Sequence, residues 1–353
     1  MRVDRTEAGA RCALTTLALL ASLAALRAQD PVGELLPKGV TQEISSAIDR
    51  GLAFLARTQN RDGSWRNTGG YGSYPTAMTA LAGMAMIGSG STPTRGRYFL
   101  NVRRATDYLI RCQGAEGTIS SLAEEGRSMY GHGFSTMFLA EVYGMEEDRR
   151  RQQVLHDVLT KAVQLTARSQ SRAGGWLYSP DQNGDEGSVT VTQIQALRAC
   201  RNAGILVPTK TIDNAVKYIR DSANPDGSIR YSINSGGGGR PPITAAAVAV
   251  LYNAGRYDDP LAEKALEYSK KTLPINGSGN GHHYYAQLYL AQSLWQRGGT
   301  DWDEYYAAMA RWLLGQQQRD GSWVGDGVGS TYGTAIALTI LQLPYAYLPI
   351  YQR

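Results

Sequence analysis

The chain is poor in cysteine, phenylalanine and charge. Three cysteines in 353 residues do not make a disulfide scaffold, so a packed core has to hold the fold. Charged residues are only 19% of the chain, against 42% hydrophobic, which excludes general disorder. The net charge of +5 comes with no long basic block, so nucleic acid is not implied as a partner. Four Phe stand beside 21 Tyr, so the aromatic surface is both apolar and hydrogen-bonding. Glycine, at 40 residues, is plentiful, and its placement organises everything that follows.

No apolar run reaches spanning length. Arg2, Arg5 and Arg11 form a basic start, and Cys12 to Leu26 is an uncharged Leu/Ala stretch of 15 residues, short of the roughly 20 that a spanning helix needs. Leu26-Arg27-Ala28 offers a cleavage site before Gln29. Residues 1–28 therefore read as a signal peptide and residues 29–39 as a linker, with export to the periplasm or medium; an uncleaved N-terminal anchor is the alternative. Once the leader is removed, Cys112 and Cys200 remain, each in a helical pattern.

A turn recurs along the rest of the chain. Gln59-Asn60-Arg61-Asp62-Gly63-Ser64-Trp65 is nearly repeated at Gln317-Gln318-Arg319-Asp320-Gly321-Ser322-Trp323, with a variant at Gln170 to Trp176. Worn copies lie at Gln113 to Ile119 and Asn224 to Ile229. Gly63, Gly117, Gly174 and Gly227 are 54, 57 and 53 residues apart, and a further 54 reaches Gly281, so six units are expected. Asp-Gly is a strong turn dipeptide, and Gly just past a helix end supplies positive φ. The Trp or Ile two residues on can then fold back as an apolar plug.

An amphipathic helix precedes each turn, as in Ile44, Ile48, Leu52 and Leu55, or Ala105, Tyr108, Leu109 and Cys112. A helix apolar nearly all round follows each, as in Tyr74 to Ile87 and Ile243 to Ala254, and must be covered on every side. Neither end of the array reads as a polar cap, which an open solenoid requires. The expected architecture is all-α: one α6/α6 toroid over residues 40–353, with six inner and six outer helices. The aromatic tail Tyr345 to Tyr351 is expected to pack on the first unit and lock the ring.

The Q-x-x-D-G-S-W turn between paired helices resembles the repeat of squalene–hopene and oxidosqualene cyclases, and the alternating barrel resembles the β subunit of protein prenyltransferases. The resemblance covers about residues 40–353 and implies a toroid with a central funnel entered where the inner helices begin. It also implies that Gln59, Trp65, Gln170, Trp176, Gln317 and Trp323 lace the outer helices together. In chemistry the chain departs from both patterns. The cyclases' Asp-x-Asp-Asp acid cluster is missing; Asp258-Asp259-Pro260 reads as a helix start. The Asp, Cys and His that hold zinc in the prenyltransferases are missing too, so no metal and no cofactor are expected.

Residues at inner-helix starts should converge on the funnel mouth, where unpaired N–H groups favour anions. As acid–base candidates these are His132, Asp185, Glu186, His282 and His283; as ligand-binding candidates, Tyr71, Tyr74, Tyr130, Tyr284, Tyr285 and Tyr332. Each also has a plain structural reading: Asp185 or Glu186 as a helix cap, His132 as a turn residue, His282-His283 as a packed pair. Asp181 to Asp185 alternates oxygen side chains but lacks the glycine and final acid of a calcium loop. Asn276-Gly277-Ser278 fits a glycosylation sequon, read as a chance match. Three functions stay open: binding, with or without turnover, of an apolar or isoprenoid-like ligand; a polysaccharide-acting toroid enzyme using Tyr, His and acids; and a non-catalytic binding scaffold. The partner is a small molecule or polymer in the cavity; peripheral membrane contact and oligomeric state are left open.

Overall fold

The computed structural model describes residues 36–277 and 281–352. The expected leader at 1–28 and most of the 29–39 segment lie outside the described residues, as does Ser278 of the sequon. The helices all belong to the unit that begins at Gly39.

Among the described residues twelve α-helices follow one another. The outer set is α1 (Gln42–Thr58), α3 (Phe99–Arg111), α5 (Arg149–Arg168), α7 (Thr209–Asp221), α9 (Pro260–Thr272) and α11 (Gly299–Gln316). The inner set is α2 (Pro75–Ile87), α4 (Ser128–Met145), α6 (Gly187–Asn202), α8 (Pro241–Asn253), α10 (His283–Arg297) and α12 (Ser330–Gln342). Outer helices bury one stripe, such as Ile44, Ile48, Leu52 and Leu55 on α1, whereas every residue of α2 is buried. Each inner helix packs on the next, and α12 packs on α2, so the inner ring is closed. The chain is an all-α, α/α toroid.

The repeated turn explains the closure. Gln59 Nε2 donates to Gly63 O at 2.9 Å within its own turn and to Asn101 O at 3.0 Å on the next outer helix. Gln170 repeats the pair with Gly174 and Thr211. The Trp indoles turn back as plugs: Trp65, Trp176 and Trp323 donate to Leu55, Thr166 and Leu313 carbonyls at 2.7–2.9 Å. Gly63 has φ +95°, and a Cβ there would lie 2.3 Å from Arg104 O on α3. Only glycine permits that approach.

The sequence and the structure part in several places. Helix α4 begins at Ser128, ahead of the apolar run at Phe134, so His132 is in a helix and not in a turn. The fifth turn is of another kind: α9 ends at Thr272, Leu273-Pro274 follows, and Gly281 stands two residues before α10 instead of just past the end of α9. Finally, several inner-helix starts spend N–H groups on acceptors from neighbouring loops.

Candidate functional site

Inner-helix starts are tied to the loop of the following repeat. Glu124 accepts from Thr76 N at 3.1 Å and Ala77 N at 3.2 Å, capping α2. Met129 N donates to Tyr178 O, and Gly187 N to Tyr231 O, both at 2.9 Å. Asp326 accepts from Tyr284 N at 2.9 Å and Tyr285 N at 3.3 Å, capping α10. Helix α8 starts with Pro241-Pro242, which carry no N–H. Acceptors of the protein's own thus take N–H groups at four of these starts, and prolines remove two more at α8, so fewer are left for an anion than the sequence suggested.

The same loops deliver side chains to one cavity of about 640 Å³ inside the ring. Its floor and walls are apolar: Ala77, Met78, Leu81, Phe134, Leu288 and Ile336. Tyrosines 71, 74, 130, 178, 231, 285 and 332 surround it, with Arg127, Arg240, Glu186, Ser188 and His282. Seven of the eleven residues singled out from the sequence therefore share this cavity: Tyr71, Tyr74, Tyr130, Glu186, His282, Tyr285 and Tyr332. Tyr74 holds φ +36°, a strained conformation for a non-glycine residue.

Glu186 is 1% exposed and starts α6. Its Oε2 accepts from Val189 N at 2.8 Å and from Ser188 Oγ at 2.6 Å. Tyr130 Oη bonds Ser188 Oγ in turn, and Tyr178 Oη bonds Tyr231 Oη. Burial raises the Glu186 carboxyl above the usual range, opposed by these hydrogen bonds. Burial likewise raises Asp326. Burial also raises Tyr130, Tyr285 and Tyr332, so each stays a neutral hydroxyl at physiological pH. The Arg127 guanidinium lies 4.9 Å above the Tyr178 ring.

Four of the eleven lie elsewhere. His132 is fully buried, its Nδ1 accepting from Ile119 N at 3.2 Å and its Nε2 facing Thr166 Oγ1 at 2.9 Å. Thr79, Thr190, Thr244 and Thr334 accept the matching N–H in the other turns, so His132 does the work of a repeat threonine. Asp185 Oδ1 accepts from Ile233 N at 3.0 Å and steadies the loop that carries Tyr231. His283 and Tyr284 turn outward onto Trp312, with ring centroids 4.8 and 5.8 Å away. Among the described residues no cluster of three or more His, Cys, Asp or Glu could hold a metal ion.

No protein-family profile and no curated protein sequence matches the chain. Solved structures do. Type II terpene cyclase MstE from Scytonema superposes with a TM-score of 0.61 at 16% identity, over 87% of this chain and 98% of that one. A protein from Actinoplanes gives 0.60 at 18% identity, over 86% and 99%. An α-1,6-mannanase of Salegentibacter, crystallised as an inactive variant with α-1,6-mannotriose, gives 0.63 at 8% identity, over 86% and 99%. The shared feature is the toroid. At these identities the likeness establishes the fold and leaves chemistry to the site. No helix of the described residues is long and apolar enough to cross a membrane.

Proposed function

We propose that this protein binds a mainly apolar small molecule, isoprenoid-like in bulk, in the lumen of its toroid. The observation that carries the reading is the 640 Å³ cavity floored by Met78, Leu81, Phe134, Leu288 and Ile336. A pocket of that size and lining suits a ligand with a large apolar body, and the tyrosine hydroxyls around it orient a polar end. The terpene cyclase, crystallised with geranylgeranyl dihydroxybenzoate, supports the idea that such a toroid accommodates a prenylated molecule. Turnover is a separate matter. The acids at hand, Glu186 and Asp326, are each engaged as helix caps, which favours binding over chemistry that needs a free acid cluster. If there is turnover, Glu186 and His282 are the acid–base groups within the cavity. The basic, Leu/Ala-rich start of the chain supports export.

Native purification followed by organic extraction and mass spectrometry tests this. A stoichiometric apolar compound is expected, and failure both to retain one and to bind Nile red counts against the reading. A second reading has its own support: Tyr71 and Tyr231 are 54% and 38% exposed at the mouth, a surface on which sugars stack. Turnover of a polysaccharide that Tyr71→Ala abolishes would favour it, and would place the chain beside the mannanase in activity as well as shape.

A further inference from the structure

The ring end opposite the mouth is closed by the chain itself. After α12 come two short 3₁₀ turns, Leu343–Tyr345 and Pro349–Tyr351, and Leu348, Ile350 and Tyr351 are buried. The second turn rests on α6 and α10, in the third and fifth units, and not on the first unit as the sequence suggested. At the bend between them Ala346 has φ +56°, a conformation non-glycine residues seldom hold.

What this apolar segment covers is polar. Glu141 of α4 is 5% exposed and faces the Ile350 N–H, while its Oε2 has no hydrogen-bond partner among the described residues. Gln296 of α10 reaches the Gln352 carbonyl at 3.5 Å; its Oε1, like that of Gln342, is unpaired among the described residues. Buried polar atoms left without partners are costly, and each recovers its hydrogen bonds once water reaches it. The seat is therefore compromised by the very groups it hides.

A line of tyrosines joins the seat to the cavity. Tyr285 lines the cavity and meets Tyr289 edge-on, with centroids 4.8 Å apart. Tyr289 belongs to α10, the helix against which the turn carrying Tyr351 rests.

We infer that segment 343–352 is a displaceable latch whose seating is coupled to cavity occupancy through Tyr285, Tyr289 and Tyr351. In the released state Glu141, Gln296 and Gln342 are hydrated. A molecule filling the cavity holds Tyr285 and Tyr289 against Tyr351 and favours the seated state, so tail and ligand stabilise each other reciprocally. The coupling rests on the proposal that the cavity takes a ligand; the latch does not.

Cys200 is fully buried on α6, the helix on which the Pro349–Tyr351 turn rests, and reports on the seat. Replacing Cys12 and Cys112 by Ser leaves it the sole thiol. Its labelling by N-ethylmaleimide is followed at fixed pH, with circular dichroism confirming the fold. Tyr351→Ala is expected to speed labelling about ten-fold or more. Glu141→Gln, which keeps the Ile350 contact without a carboxylate, is expected to slow it. Rates unchanged by both variants overturn the latch. Saturating Nile red is expected to slow labelling of the otherwise unaltered protein about three-fold. If Nile red binds without changing the rate, the coupling is overturned. If it does not bind, the cavity reading and the coupling fall together, and the two variants still decide the latch.

Discussion

Gln317 donates its side-chain amide to the Ala47 carbonyl at 2.9 Å, which ties the last turn of the chain to its first helix. The same Gln holds Gly321 O at 3.0 Å, and Arg50 on α1 donates to its Oε1. The bond that Gln59 makes to the next helix is thus made by Gln317 across the closure, between residues 270 apart. A solenoid would leave this amide without that partner.

Closure makes the Gln317 amide a stability determinant. Gln317→Ala removes both carbonyl contacts of a partly buried amide and is expected to cost about 1–2 kcal/mol, lowering Tm by about 2–6 °C for a chain of this size. Gln153→Ala, at an exposed site on α5 whose amide reaches only Asp157, is expected to leave Tm within about 1 °C. Calorimetry on the two variants checks the contrast.

Glycine at the turn is required by contact as well as by φ. In Gly63→Ala the new methyl would sit 2.3 Å from a backbone oxygen that no rotamer change can move. A loss of about 3 kcal/mol or more is expected, readable as a shift of the urea midpoint. Gly204→Ala has the same sign of φ but no atom within 4 Å, so it separates the strain from the clash and is expected to cost about 1 kcal/mol.

Two buried groups tilt stability with pH in opposite senses. Burial lowers His132 to about 4 from an ordinary 6.5, so its share of stability is complete above pH 6.5 and is lost as pH falls toward 4. Burial raises Glu141 to about 7 from an ordinary 4.5, so its share is complete below pH 4.5 and is lost as pH rises toward 7. Each is on the order of 3 kcal/mol, and in the wild type they offset between those limits. Thermal melts are expected to show His132→Thr losing Tm as pH rises through that interval, and Glu141→Gln losing Tm as it falls. Parallel slopes in the two variants would contradict the assignment.

Much of this architecture was legible because one physical problem is solved repeatedly. The Gln, Gly and Trp positions are dictated by a turn that must touch the next outer helix, and the wholly apolar helices by a ring that covers both their faces. Where one repeat solves the problem differently, the pattern misleads: His132 stands in for a threonine, and the fifth turn uses Leu273-Pro274. The cavity was half legible. His282 to Tyr285 form one run in sequence, but helix phase sends Tyr285 inward with Leu288, and His283 and Tyr284 outward to Trp312. Arg127, Tyr178, Tyr231 and Arg240 escaped notice because they arrive on loops tied to the neighbouring repeat's helix start, a pairing that no spacing in the chain displays.

Occupancy of the lumen is the claim on which the functional account turns, and blocking it is the most direct test. Leu288 is buried in the cavity wall, and Leu288→Trp puts an indole where the ligand's apolar body would lie. In a fluorescence titration with Nile red, the wild type is expected to bind at a single site, and Leu288→Trp to weaken binding about ten-fold or more with Tm little changed. Equal binding by the two proteins would contradict the account, because the dye would then be held somewhere other than inside the ring.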